Sequence, residues 1–356
     1  MKTLSIISLK YSPGLLKEMI ALKKAAINHG FKVNLVLNSK YDWLIEEENS
    51  VKDECIRLNN LYEIIKTFIK LSKDKSRNYI FYNFHPLNIL LSLFKGHKNI
   101  NVYIHEPWMD NKIQYGLKRM IMVTVLEKIQ KIYAIYGSSQ IVVPSEHARD
   151  KAKNFKLEHK NSDIKVCPLM LKIDKKNTQH KDYFLFLGRL HGAKAFDEVL
   201  KPLKLCKEYK LKVLTTSKIP ENIFLEYKDE ISSKRLSIVS KDNLSENEIQ
   251  DSIISSIAVL KLDKLMTQSG VVALSFALGT PVIARNILGF SQDVNHKING
   301  YLINENESNS LINALNWVSN NSKFLSENSR IVYETKFSEY AWSDGWGKIL
   351  NTAKRD

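Results

Sequence analysis

Short β-rich runs alternate with amphipathic helical stretches from one end of the chain to the other, and this alternation restricts the fold more than any other feature. In the first half the strand candidates are 3–9 (TLSIISL), 32–38 (KVNLVLN), 79–84 (YIFYNF), 100–106 (INVYIHE) and 140–144 (QIVVP). Helical patterns lie between them. The run 15–30 closes on Gly30, a natural stop, and Ser145 opens another helix with Glu146 in its first turn. Residues 169–182 are polar, lysine-rich and without period, which marks a linker. The pattern then restarts with strands at 183–188, 211–216, 235–240, 258–262 and 281–284, a helix near 196–208 and a helical tail. Ser245 and Glu248 have the spacing of a capping box for a helix running to about Ser255.

Strands alternating with helices make parallel sheets covered on both faces. Two such runs split by a linker predict an α/β chain of two doubly wound Rossmann-like domains facing each other across a cleft. Sheets of this kind bind ligands beyond the carboxyl ends of their strands, so the cleft is the expected active site. The predicted boundaries are 1–168 for the first domain, 169–182 for the linker, 183–335 for the second domain and 336–356 for a final helix. A length of 356 residues with 44% hydrophobic content is enough for two cores.

Cys55, Cys167 and Cys206 are too far apart for a zinc or disulfide framework, so a cytoplasmic setting and no metal site are expected. The opening apolar run is interrupted by Lys10 and is expected to be a first strand, not a leader. No apolar run reaches the roughly eighteen residues that a spanning helix needs. The net charge of +15 is unevenly spread: residues 1–180 hold 30 Lys and Arg against 17 Asp and Glu, the remainder 23 against 21. A negatively charged partner near the first half would account for it, as would a generally lysine-rich composition. No recognition motif accompanies the basic half, so nucleic acid is not an expected partner.

The stretch 267–286, TQSGVVALSFALGTPVIARN, holds a helix that is apolar on every side yet opens on small polar residues and a glycine. Its first turn would lie at the carboxyl end of the strand AVLKL. There the N–H groups of Ser269, Gly270, Val271 and Val272 would present the positive end of a helix dipole, an anion site that Gly270 lets a phosphate approach closely. A core helix merely capped by Ser269 would read the same way. In FLGRLHGAKAFDEVL (186–200), Arg189 and Lys194 follow another strand. A planar fork of donors and a point charge suit a diphosphate, although a solvated basic loop has the same composition. Thr215, Thr216 and Ser217 end a further strand, where a nucleotide base or ribose could lie; an ordinary polar turn fits equally.

Taken together, GRL followed by a lysine, LSENEIQDSIISSIAVLKL, SGVVALSFALGTPVIARNILGFSQDV and INGYLIN resemble, in order and spacing from about 183 to 320, the second domain of family 4 retaining glycosyltransferases of the GT-B fold. The resemblance implies that Arg189 and Lys194 clasp the diphosphate of a nucleotide-sugar and that Gln268, Ser269, Gly270 and Val271 meet its phosphates or sugar. Thr216 is a candidate for the nucleotide. In the first half, SLKYSPGLLKEMIALKKAAINHGFKVNLV, YNFHP, VYIHEP and IVVPSEHARDKA resemble the family's first domain more loosely. That likeness puts Gly14 in the glycine-bearing loop and His105 at the histidine that reaches a sugar hydroxyl. The closing FSEYAWSDGWGKIL resembles the last helix, which packs back on the first domain.

The sequence departs from the family where two glutamates usually stand eight positions apart. Aligned on Gly279-Thr280-Pro281, those positions are Met266 and Leu274; Ala195 replaces a glycine, and the later acidic position is Gln292, beside Asp293. The implied function is transfer of a hexose-type sugar, with retention and without a metal, to a lipid-linked, lipopolysaccharide or capsule glycan. No cofactor is implied; the donor substrate is a nucleotide-diphosphate sugar, with UDP or GDP as the expected carrier. Because both acids are missing, a non-catalytic scaffold binding a partner transferase or a glycan is the alternative. A nucleotide-sugar epimerase would want acid–base carboxylates that the sequence does not place. The run 112–136, basic and apolar together, reads either as a domain helix with one buried stripe or as a segment lying on an anionic bilayer, at the inner face of the cell membrane.

Overall fold

The computed structural model describes residues 2–11, 15–42, 55–82, 85–96, 99–104, 116–154, 163–173, 181–190, 195–264, 266, 268–304 and 309–352. The chain divides into two compact units, Met1–Pro168 with Glu339–Asp356, and Leu169–Ser338.

The first unit is built on a seven-stranded sheet: β1 (Lys2–Ser8), β2 (Phe31–Asn38), β3 (Cys55–Leu58), β4 (Asn78–Phe81), β5 (Ile100–Tyr103), β6 (Gln140–Val143) and β7 (Asp163–Val166), in the order β3-β2-β1-β4-β5-β6-β7. Every pairing is parallel. The central strands are buried over most of their length because helices cover both faces, as for Val102, Ile141 and Val142, none of which reaches solvent. On one face Phe68, Leu91 and Tyr133 join the core built around Phe81 and Val102. The helix Glu339–Thr352 belongs to this unit and packs on the helix Leu16–Asn28. Its Trp342 and Trp346 are buried, Trp346 lying 6.0 Å from the ring of Tyr103, which stacks at 4.7 Å on Tyr82.

The second unit carries β8 (Tyr183–Leu187), β9 (Leu211–Thr215), β10 (Leu236–Ser240), β11 (Ser256–Lys261), β12 (Val282–Arg285) and β13 (Gly300–Ile303), all parallel and in the order β10-β9-β8-β11-β12-β13. The chain runs outward from β8 to β10 and then returns to lay β11 on the other side of β8. The strand order therefore reverses between β8 and β11, the place where a doubly wound sheet leaves a crevice at its carboxyl edge.

Two parallel sheets with flanking helices are what the alternation predicts. The bounds differ in detail: β4, β5 and β11 are shifted or shortened by a few residues, and β3, β7 and β13 were not foreseen. The helix expected over 196–208 is two, Phe196–Leu200 and Pro202–Leu205, with Pro202 at the start of the second, since proline brings no N–H to continue the first.

The capping box forms as predicted. Ser245 Oγ accepts from the Glu248 N–H at 3.2 Å, while Glu248 Oε2 accepts from the Ser245 N–H at 3.0 Å. An ion pair with Lys241, together with the bonds from Ser245, holds the Glu248 carboxyl down at about 2. A carboxyl with a folded value below its unfolded one of about 4.3 stabilises the fold above that unfolded value and ceases to do so as pH falls toward 2. The stability deficit of Glu248→Gln, measured by urea unfolding, should therefore be full at pH 7 and shrink steadily between pH 5 and 3. A deficit independent of pH would show that the charge contributes nothing.

Candidate functional site

The reversal point of the second sheet opens into a cavity of about 750 Å³. Its walls come from the carboxyl ends of four strands: Leu187, Gly188 and Arg189 after β8, Thr215 and Thr216 at β9, Asp242, Asn243 and Leu244 after β10, and Lys261 at the end of β11. The turn Met266 and Gln268–Val271 closes it, with Leu274 one helical turn further on.

The loop carrying Arg189 is tied down by backbone-directed bonds. The Gly188 N–H donates to the Leu214 carbonyl at 3.2 Å and the Leu190 N–H donates to Ser217 Oγ at 2.9 Å. Ser217 is in turn held by its own N–H on Thr215 Oγ1 at 3.0 Å. Arg189 is exposed at the mouth, between two anchored neighbours.

The helix Gly270–Ala277 has Ser269 as its N-cap. Val272, Ala273, Phe276 and Ala277 are buried against Leu185, Val259 and Val282, whereas Val271 and Leu274 are only partly covered and face the cavity. The helix ends in a Schellman motif. The Gly279 N–H donates to the Phe276 carbonyl at 3.0 Å and the Thr280 N–H to the Ser275 carbonyl at 2.8 Å. Gly279 takes the required φ of +67°, which ends the helix at Gly-Thr-Pro. At the other end Gly270 and Val271 stand in the first turn, where no preceding helical carbonyl can receive their N–H groups. The expectation for Val272 is corrected: its N–H donates to the Ser269 carbonyl at 3.1 Å and lies 3.4 Å from Ser269 Oγ. The first turn therefore offers its amides up to Val271 and no further.

Residues 171–336 match the family model described as glycosyl transferases group 1. This part of the chain is a glycosyl transferases group 1 domain. Solved structures similar over the whole chain include a glycosyltransferase from Rickettsia africae ESF-5, with 14% identity, coverage of 100% of this chain and 99% of that one, and a TM-score of 0.68. Anabaena Alr3699/HepE in complex with UDP gives 13% identity, 99% and 100% coverage and a TM-score of 0.71. The apo form of the lipopolysaccharide outer core galactosyltransferase WaaB gives 14% identity, 98% and 99% coverage and a TM-score of 0.65. At such identities the likeness concerns the fold, which is the GT-B arrangement of two Rossmann-like domains. No curated protein matches the chain.

Of the residues singled out in the sequence, the glycosyltransferase domain brings Arg189, Thr216, Gln268, Ser269, Gly270 and Val271 around the one cavity. Gly14, His105 and Lys194 lie outside the described residues. Met266 and Leu274, at the positions of the usual acids, both line the same cavity and give it an apolar patch beside the helix N-terminus. Asp293, beside the later acidic position, is buried and paired with Lys336 Nζ at 2.5 Å, so it secures the turn at 333–337. Burial pushes its carboxyl upward, against the pull of Lys336. No cluster of three metal-binding side chains occurs among the described residues.

Three lining residues were missed. Asp242 and Asn243 follow β10 and belong to no motif, so only folding brings them to the site. Lys261 did leave a signal, a lysine inside the apolar run AVLKL. It is buried in the second unit with its Nζ 3.0 Å from Asp263 Oδ2.

Proposed function

We propose that the chain is a retaining, metal-independent glycosyltransferase that moves a hexose-type sugar from a nucleotide diphosphate to a lipid-linked or lipopolysaccharide-type glycan. The observation that carries this reading is the meeting of Arg189, Thr216 and the Gln268–Val271 turn in one cavity at the reversal point of a Rossmann-like sheet. When the bond from the anomeric carbon to phosphate breaks, negative charge gathers on the departing diphosphate. A guanidinium and the first-turn amides at the positive end of a helix are suited to stabilise it. The acceptor hydroxyl oxygen bonds to the anomeric carbon as the phosphate leaves. Its proton passes to the departing phosphate on the same face, so no protein carboxylate is required beside Met266 and Leu274. On the motif resemblance alone, Lys194 is proposed as a second cation on the diphosphate, and His105 and Gly14 as groups meeting the sugar.

The test is thermal unfolding with UDP, GDP, ADP and CMP, on the wild type and on Arg189→Ala. A nucleotide at about a hundred times its dissociation constant should add ~2.7 kcal/mol of stability. One of the four, expected to be UDP or GDP, should raise the midpoint, and Arg189→Ala should weaken the effect. In a transfer assay with the sugar of that nucleotide, the same substitution should lower kcat/KM by about a hundredfold. A chain that binds no nucleotide would overturn the reading and favour a scaffold, for which Met266 and Leu274 in the cavity would then be the natural explanation.

A further inference from the structure

The helix Gly116–Gly137 of the first unit is turned the wrong way for a domain helix in water. Ile121, Met122, Val125, Leu126, Ile129 and Ile132 are all exposed, with Ile121 at 55%, Val125 at 51% and Ile132 at 53%. At 100° per residue these six fall within about 140° of arc, one continuous stripe. The single acid of the helix, Glu127, is buried instead. The helix Asn88–Lys95 packs beside it and adds Leu93, 72% exposed, and Phe94. Next to that, the helix Leu61–Ser72 adds Tyr62 and Ile69. The outer sides of three successively packed helices therefore carry large exposed apolar side chains, more than isolated surface leucines would explain.

The exposed charges on the same helices, among the described side chains, have one sign. Lys66 and Lys70 on Leu61–Ser72 and Lys128 on Gly116–Gly137 are exposed, and Lys66 Nζ lies 5.9 Å from the ring centre of Tyr62. Among the described side chains of these three helices no acid is exposed; Glu63 is half-covered, and its carboxylate accepts from the Asn59 N–H. Apolar side chains flanked by exposed lysines complement a surface with hydrocarbon beneath and negative charge around it. A second copy of the chain fits less well, because a two-fold contact would set lysines against lysines.

We propose that this three-helix face is the surface by which the first unit lies on an anionic lipid bilayer. Among the described residues no helix is long and apolar enough to cross a membrane, so the attachment is to one leaflet. The inference deepens the proposed function, since a lipid-linked acceptor presents its sugar at that surface.

The experiment is sedimentation of the full chain with vesicles of phosphatidylcholine alone and with about 30% phosphatidylglycerol, at low and high salt, with nucleotide-induced thermal shifts recorded on the same preparations. The wild type should bind the anionic vesicles, release them as salt rises and leave the neutral ones in the supernatant. Lys66→Gln and Lys70→Gln should each weaken binding about fivefold at low salt. The double variant Ile121→Gln/Val125→Gln should weaken it by at least about tenfold while keeping the wild-type unfolding midpoint. Equal recovery with both vesicle types, or a lysine series without effect, overturns the proposal. So does a chain that ignores vesicles but dimerises through the Ile121 face, which would make the patch a protein interface. Loss of vesicle binding with an intact nucleotide shift rejects this inference alone. Vesicle binding without any nucleotide shift rejects the proposed donor site and leaves the surface standing.

Discussion

Replacing Gly289 with alanine is expected to destabilise the second unit by about 3 kcal/mol, a fall in its unfolding midpoint of about 6–12 °C. A Cβ built on Gly289 would stand 1.8 Å from the carbonyl oxygen and 2.5 Å from the carbonyl carbon of Met266. Both are backbone atoms, so no side chain can rotate aside. Either the short helix Leu288–Ser291 or the segment leading into the Ser269 cap must move by about 1 Å or more. Phe290, fully buried next to it, resists the first movement, and the cavity suffers from the second. Nucleotide binding should weaken together with stability. Gly270→Ala is the control: an added Cβ meets nothing within 4 Å there, and its unfolding midpoint should stay near the wild type. A Gly289→Ala midpoint indistinguishable from that control would show that the Met266 segment is loose and does not shape the site.

The second large effect concerns Lys261. Its side chain is 4% exposed and that of Asp263 is 2% exposed, with Nζ and Oδ2 3.0 Å apart. Lys261→Met removes the cation and leaves a carboxylate in a poorly solvated place, which should cost about 3–5 kcal/mol in urea unfolding. Lys261→Met/Asp263→Leu should recover most of that loss, because the cost lies in burying the Asp263 carboxylate away from its lysine and not in the absence of the pair. Lys261 also lines the cavity. Even the stable double variant should therefore bind the nucleotide more weakly, which separates its two roles. A single variant that loses less than about 1 kcal/mol would mean that water or another group solvates Asp263.

Features that depend on neighbours in sequence were legible before folding. The capping box at Ser245 and Glu248 and the cap at Ser269 are each set within one helical turn, and each forms at the predicted residue. The strands that escaped notice, β3, β7 and β13, are four residues long and lie at sheet edges. An edge strand has one neighbour and need not be apolar on both faces, so CIRL and DIKV carry little of the pattern that marks Val102 or Val142. Pro202 was visible in the sequence, and its consequence, two short helices in place of one, follows from its missing N–H.

The sequence by itself determined the two-domain α/β class and the caps, because each is written in local spacing, and it singled out Arg189 and the helix N-terminus at Ser269 as candidates. Only the tertiary structure decided that Asp242, Asn243 and Lys261 join them, that Asp293 is used to hold Lys336, and that Gly289 is pressed against Met266. These depend on where four strands end side by side and on which backbones touch. Contacts between residues tens of positions apart are fixed by packing, and no periodicity within the chain records them.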